Sequence, residues 1–283
     1  MPFQRITLGD FELTILSDGT YFLDAGSMFG VVPKSLWSKK IQADPRNLMT
    51  CGLNSVLIRT GEKTVLVETG IGNKLSEKLK AIYEPQERLL KSFEEANVSP
   101  DEVDVVINSH LHFDHSGWNT IYDKTGKAVP TFPKAKYYAQ RGEVEHGRKQ
   151  LERDRISYIS DNYDPLVESG RMQLLDGSAQ ILPGISAVVY PGHTRHMQAI
   201  MIESAGKTAC YISDLIPTTH HLDLTWVMSY DVFPLDTIES RKRFYAQAVP
   251  QQWLTIFTHD HERPWAYLDE PKPGKVVARE VAR

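Results

Sequence analysis

Asn108-Ser109-His110-Leu111-His112-Phe113-Asp114-His115-Ser116-Gly117 places three imidazoles and a carboxylate within six consecutive residues, directly after the apolar run Val103 to Ile107. An ordinary soluble surface has little use for that density. It reads as a metal site carried on the loop at the end of a strand, where a rigid scaffold holds chemistry in place.

Working upstream, Ser99-Pro100-Asp101-Glu102 has the form of a capping box with Pro at the first helical position, predicting a short helical turn before the strand. Lys74 to Ala96 has helical spacing in Leu75, Leu79, Ile82, Leu89, Leu90 and Phe93, and Pro85 divides it into two helices. Before that, Ser55 to Arg59 and Thr64 to Val67 flank a turn at Thr60-Gly61-Glu62-Lys63, the pattern of a hairpin whose second strand ends at Glu68-Thr69-Gly70. Phe11 to Leu16 alternates apolar and polar residues and then meets Ser17-Asp18-Gly19, which predicts an early strand leaving into a turn. Gly26 to Trp37 is apolar but broken by Gly and Pro, as in a loop that covers a core or, alternatively, a wall of a pocket.

Downstream, Lys136 to Ala139 reads as a strand and Gly142 to Arg155 as a polar helix. Leu174-Leu175, Ile181 to Tyr190, Gln198 to Ile202 and Thr208 to Ser213 predict a second series of strands. Thr237 to Ala248 reads as a helix and Trp253 to Phe257 as a final strand. Strand groups alternating with helices in each half imply an α/β protein of layered sheets, and the absence of linkers and repeats predicts one domain over residues 1–283.

Three of these strands end on a further candidate ligand: His193 follows Val188 to Gly192, Asp214 follows Tyr211 to Ser213, and His259 follows Ile256 to Thr258. His259 is preferred to His261 because it emerges directly from its strand. Strand ends of a layered sheet can share one edge, so a common site is the simplest arrangement. Neutral imidazole and carboxylate oxygen suit Zn²⁺ and its neighbours, and a carboxylate can bridge two cations. Two such cations ionise water near neutral pH and polarise a carbonyl or phosphoryl oxygen, so the implied reaction is hydrolysis.

Composition excludes other classes. At 283 residues with 41% hydrophobic and 24% charged residues the chain can bury a full core, and its net charge of −4 argues against a nucleic-acid partner. Cys51 and Cys210 lack paired spacing, so neither disulfides nor a thiolate zinc site is expected. Met1 to Ile6 lacks the character of a signal peptide and no apolar run approaches the ~20 residues that span a bilayer, so a cytoplasmic protein is expected. His146 and His196 have no motif support, and His220-His221 in a Pro-Thr-Thr loop read as surface residues.

His110-Leu111-His112-Phe113-Asp114-His115 matches the HxHxDH signature of the metallo-β-lactamase-fold hydrolases, and His193, Asp214 and His259 fall in the order of that superfamily's remaining metal motifs. The resemblance covers about residues 53 to 261 and implies a four-layer αββα sandwich. It implies two divalent metal ions, expected to be zinc, with His110, His112 and His193 on one, Asp114, His115 and His259 on the other, and Asp214 bridging. One position departs from the pattern. The family usually has Asp after the second hairpin strand to support the ligand loop, and here Glu68 stands there.

Within the superfamily, Asp214 sets the chain apart from the zinc β-lactamases, and no added RNA-binding, glutathione-binding or flavin module is expected. What remains resembles the quorum-quenching N-acyl homoserine lactone lactonases and their relatives that hydrolyse organophosphate esters. The resemblance implies attack by a metal-bridging hydroxide on a lactone carbonyl, with Asp114 relaying a proton to the leaving alkoxide. The alternative is a phosphotriesterase or arylesterase using the same site. A tyrosine that assists some lactonases, three residues after the bridging Asp, is Pro217 here, with Tyr230 a distant candidate. Leu222 to Phe233 reads as core and, so close to Asp214, as a wall suited to an acyl chain. The expected partner is a small-molecule ester or lactone, with no nucleic acid and no membrane, and a homodimer as the assembly left open.

Overall fold

Residues 4–281 are described by the computed structural model, and two seven-stranded sheets form its framework. The first contains β1 (Arg5–Leu8), β2 (Phe11–Asp24), β3 (Leu48–Arg59), β4 (Thr64–Val67), β5 (Val105–Ile107), β8 (Lys136–Gln140) and β9 (Met172–Leu175), side by side in that order. Between β5 and β8, β6 (Thr120–Tyr122) and β7 (Ala128–Pro130) pair as a small separate hairpin. The second sheet runs β10 (Ala179–Leu182), β11 (Ile185–Val189), β12 (Gln198–Ser204), β13 (Lys207–Tyr211), β14 (Leu254–Ile256), β15 (Trp265–Lys272) and β16 (Lys275–Arg279).

Strand alternation sorts the side chains into layers. Val65, Val67, Val105 and Ile107 of the first sheet meet Ile200, Ile202, Tyr211 and Ile256 of the second in the core between the sheets. Their neighbours Leu66 and Val106 point outward, into the cluster formed with Leu89 and Phe93 of α4 (Leu89–Glu95), Val144 of α6 (Arg141–Lys149) and Leu166 of α7 (Asp164–Glu168). Met201 and Cys210 point outward on the other side, beneath Phe244 and Ala248 of α8 (Pro234–Ala248). The result is the αββα sandwich. No described helix is long and apolar enough to cross a membrane.

The topology also aligns the strand ends. β4 and β5 are parallel, β13 and β14 are parallel, and β11 runs with β13 because each is antiparallel to β12. The C-terminal ends of each set therefore share one edge of their sheet.

Pro85 does separate two helices, α3 (Glu77–Tyr83) and α4, and Ser99 caps its helical turn through the predicted box. The expected turn at Ser17-Asp18-Gly19 is instead a bulge inside β2, which continues to Asp24. Ser17 pairs with Asn54 and Thr20 with Gly52, so β2 spends three steps where β3 spends two. The same residue types serve turns and bulges, because both need a backbone free to take positive φ, here 92° at Gly19. The bulge turns Asp18 inward, where its carboxylate accepts N–H groups from Ile71, Gly72, Leu89 and the Trp118 indole. Gly26 to Trp37 holds two short helices, α1 (Ala25–Phe29) and α2 (Lys34–Trp37), rather than a plain loop. β15 and β16 were not foreseen, and the predicted run Ile181 to Tyr190 is broken by a turn at Pro183-Gly184.

Candidate metal centre

The loop after β5 enters α5 (Phe113–Ser116), a single turn that swings Asp114 and His115 back toward His110 and His112. Neighbouring backbone clamps this loop: Thr69 N–H donates to the His115 carbonyl at 2.9 Å and Gly117 N–H to the Gly70 carbonyl at 2.7 Å. Glycine is obligatory at that crossing, since a Cβ on Gly117 would lie 2.0 Å from the Ile71 carbonyl carbon. Glu68, with its backbone at φ 63°, accepts Ser109 N–H at 2.7 Å through Oε1 and turns Oε2 toward His115 Nδ1 at 3.7 Å. The longer side chain thus still reaches the ligand loop.

The structure brings all seven sequence-predicted ligands together. His110, His112 and His193 form one group whose ligand atoms lie within 4.8 Å of one another, and Asp114, His115 and His259 form a second. Asp214 lies between them: Oδ2 is 3.3 Å from His193 Nε2, while Oδ1 is 3.4 Å from His115 Nε2 and 3.2 Å from His259 Nε2. His261, by contrast, lies on the outside beside Glu262.

Ring orientations are set from behind. Ser109 Oγ meets His110 Nδ1 at 2.9 Å, the Gly52 carbonyl meets His259 Nδ1 at 2.9 Å, and Asp231 Oδ1 meets His193 Nδ1 at 3.1 Å. Each of these rings therefore presents Nε2 to the centre. His193 Nε2 and His112 Nδ1 stand 3.1 Å apart. Nitrogens sharing one four-coordinate cation at bonds of ~2.0–2.1 Å sit at about this spacing.

Charge and burial fit a cation as well. His110 Nε2, His115 Nε2 and Asp214 Oδ1 are buried without a hydrogen-bond partner. Orphaned polar atoms converging on one point are costly unless something positive satisfies them. Burial and the neighbouring imidazoles hold His110 and His112 well below the usual imidazole range, in the neutral form that binds metal. Burial pulls His115 the same way but Asp214, Asp114 and Glu68 outweigh it, and burial of Asp214 is in turn outweighed by His115, His259 and His193, which keep it well below the carboxylate range.

Above the centre lies a cavity of about 150 Å³ bordered by Leu23, Met28, Tyr83, Phe113, Met228 and Tyr230, with Arg153 and Ser157 as polar elements. Leu222 to Phe233 thus contributes wall as well as core. That segment is gathered by Arg241 of α8, whose buried guanidinium donates to the carbonyls of Leu215, His221, Asp223 and Trp226. The expected surface position of His221 is corrected: it is fully buried, stacked on Phe29 at 4.5 Å and bonded to the Met28 carbonyl, so it supports the cavity wall. His146 pairs with Asp154 at 2.6 Å, and Pro217 offers its carbonyl to His259 N–H.

Three residues that matter had no signal in the sequence. Asp231, Tyr21 and Glu143 stand outside any spaced motif; Tyr21 donates to Asp114, and Glu143 accepts from Thr194 and Leu111, next to His193 and His112. Asp231→Ala should weaken metal binding at the His110, His112 and His193 group by about 10- to 100-fold, because the His193 ring loses the partner that fixes it. Chelator competition reads this directly; unchanged affinity would show that His193 is held by packing alone.

The family model described as Metallo-beta-lactamase superfamily matches residues 49–272. An N-acyl homoserine lactonase of Bacillus cereus is 22% identical over 237 residues, 77% of this chain and 85% of the relative. Among solved structures, a probable metal-dependent hydrolase from Staphylococcus aureus is 30% identical with a TM-score of 0.85, covering 98% of this chain and 100% of that one. AidC, a dizinc quorum-quenching lactonase in complex with a product, N-hexnoyl-L-homoserine, superposes with a TM-score of 0.82 at 23% identity, covering 99% and 98%.

Proposed function

The chain belongs to the metallo-β-lactamase superfamily, and from that membership we propose that it is, as a single domain, a dinuclear metal-dependent hydrolase opening a lactone ring of the N-acyl homoserine lactone class. The observation that carries this reading is Asp214, whose two oxygens face separate ligand groups beneath a largely apolar cavity. His110, His112 and His193 would hold one divalent ion and Asp114, His115 and His259 the other, with Asp214 shared. Zinc is the expected metal. Bound there, the ions supply Lewis acidity and water ionised near neutral pH.

The protein's own groups do the rest. Met28, Phe113 and Met228 take an acyl chain and exclude water from it, while Arg153 and Ser157 offer donors to the amide. Asp114 borders the same space and can pass a proton to the ring oxygen as the C–O bond breaks. Lactonase relatives among the similar proteins support the substrate class.

The decisive comparison is kcat/KM on acyl homoserine lactones of increasing chain length against aryl esters and a paraoxon-like triester, with zinc-, manganese- and cobalt-loaded protein. Lactones should lead and improve with chain length. A preference above tenfold for the triester or aryl ester would replace the lactone reading with that of an organophosphate or aryl-ester hydrolase at the same site.

A further inference from the structure

The protein treats the two oxygens of Asp114 differently. Oδ2 lies 3.8 Å from His115 Nε2 and 3.7 Å from His259 Nε2, and it also accepts the Tyr21 hydroxyl at 2.7 Å. Oδ1 has no hydrogen-bond partner among the described residues, and Asp114 borders the cavity. A carboxylate on so short a stem can rotate about its Cβ–Cγ bond and exchange its oxygens unless one is held. Among the described residues, only Tyr21 hydrogen-bonds one of them.

We propose that Tyr21 is a positioning residue for Asp114: its hydroxyl keeps Oδ2 on the side of His115 and His259 and leaves Oδ1 for proton transfer at the substrate. The proposal rests on the dinuclear hydrolase reading above. Its origin lies in β2. Tyr21 pairs with Cys51 and Leu16 with Ser55, and since Cys51 and Ser55 lie on one face of β3, Tyr21 and Leu16 share a face although they stand an odd five positions apart. That is the parity change of a one-residue insertion. Without the bulge at Asp18-Gly19, Tyr21 would point to the opposite face.

The ring is then immobilised. It is fully buried, 6.3 Å edge-on to Tyr83 and 5.6 Å from the tilted ring of His259, so its hydroxyl has little freedom. Tyr230 also borders the cavity, but the phenol that hydrogen-bonds Asp114 is that of Tyr21.

The test is a double-mutant cycle of Tyr21→Phe, Asp114→Asn and the pair, read by chelator competition for the second metal equivalent, by the visible spectrum of the cobalt-loaded protein and by kcat and KM on the best lactone. Tyr21→Phe should lower kcat about tenfold with KM nearly unchanged, and loosen the second equivalent about tenfold while the first is retained. In the Asp114→Asn background the same substitution should do nothing further, because its effect runs through Asp114. An equal loss in both backgrounds, or a Tyr21→Phe protein within twofold of the parent in kcat and second-site affinity, overturns the assignment. A parent protein that holds fewer than two equivalents or hydrolyses no ester would instead overturn the dinuclear reading itself.

Discussion

Asp214→Asn should reduce kcat/KM about a thousandfold, the scale on which removal of one dedicated electrostatic group is felt, and should leave the protein with fewer than two metal equivalents. The carboxylate is close to His193 through one oxygen and to His115 and His259 through the other. An amide of the same shape carries no charge and offers one acceptor, so one of the two ligand groups would face an N–H₂ donor where it needs an acceptor. Repulsion between two cations a few ångströms apart would also go unscreened. Metal analysis by plasma mass spectrometry and steady-state kinetics give the answer together. Two equivalents with activity within tenfold of the parent would mean that Asp214 is not the shared ligand.

The second large effect concerns stability. Asp18→Ala should cost about 4 kcal/mol, roughly 1 kcal/mol for each of the four N–H groups left without an acceptor. Those donors belong to the loop after β4, the start of α4 and the turn after α5, so one carboxylate ties three segments to the bulge. Burial pushes Asp18 up to about 7, against the pull of its donors. A carboxyl raised from 3.8 in the unfolded chain to about 7 when folded binds its proton more tightly in the native state, so its contribution is full below about pH 4 and is lost as the pH rises through 7. The stability gap between parent and Asp18→Ala should therefore narrow from pH 4 to 7. Denaturant unfolding in the presence of chelator measures it, and a gap that is flat or widens over that window would mean that the carboxylate is ionised throughout.

The candidate ligands were legible because their chemistry is dense in the chain: four of the seven lie within six residues, and the other three each follow an apolar strand. Layered α/β architecture followed from the same strands, whose two-residue alternation is set by the sheet. What stayed hidden depends on contacts distant in sequence. Tyr21 meets Asp114 across 93 positions, and nothing local distinguishes its phenol from any other strand tyrosine. Ser17-Asp18-Gly19 misled because turn and bulge demand the same backbone freedom, and only pairing with β3 decides between them. His221 resembled a surface residue since its neighbours are polar, yet Phe29 and the Met28 carbonyl enclose it. β15 and β16 escaped notice because the polar run Asp269-Glu270-Pro271-Lys272 masks their alternation at an exposed end of the sheet.

The ligand groups divide between the two halves of the sandwich in a regular way. His110 and His112 need His193, His110 and His115 need Asp214, and Asp114 and His115 need His259, so every group of three draws two members from the first half and one from the second. Among the described residues, neither half alone completes any of these groups. A nascent chain with only its first sheet formed lacks one member of every such group, so tight capture of an ion would wait for the second sheet. Metal retention is then a record of completed assembly, and two fragments divided between β9 and β10 would acquire it only on joining.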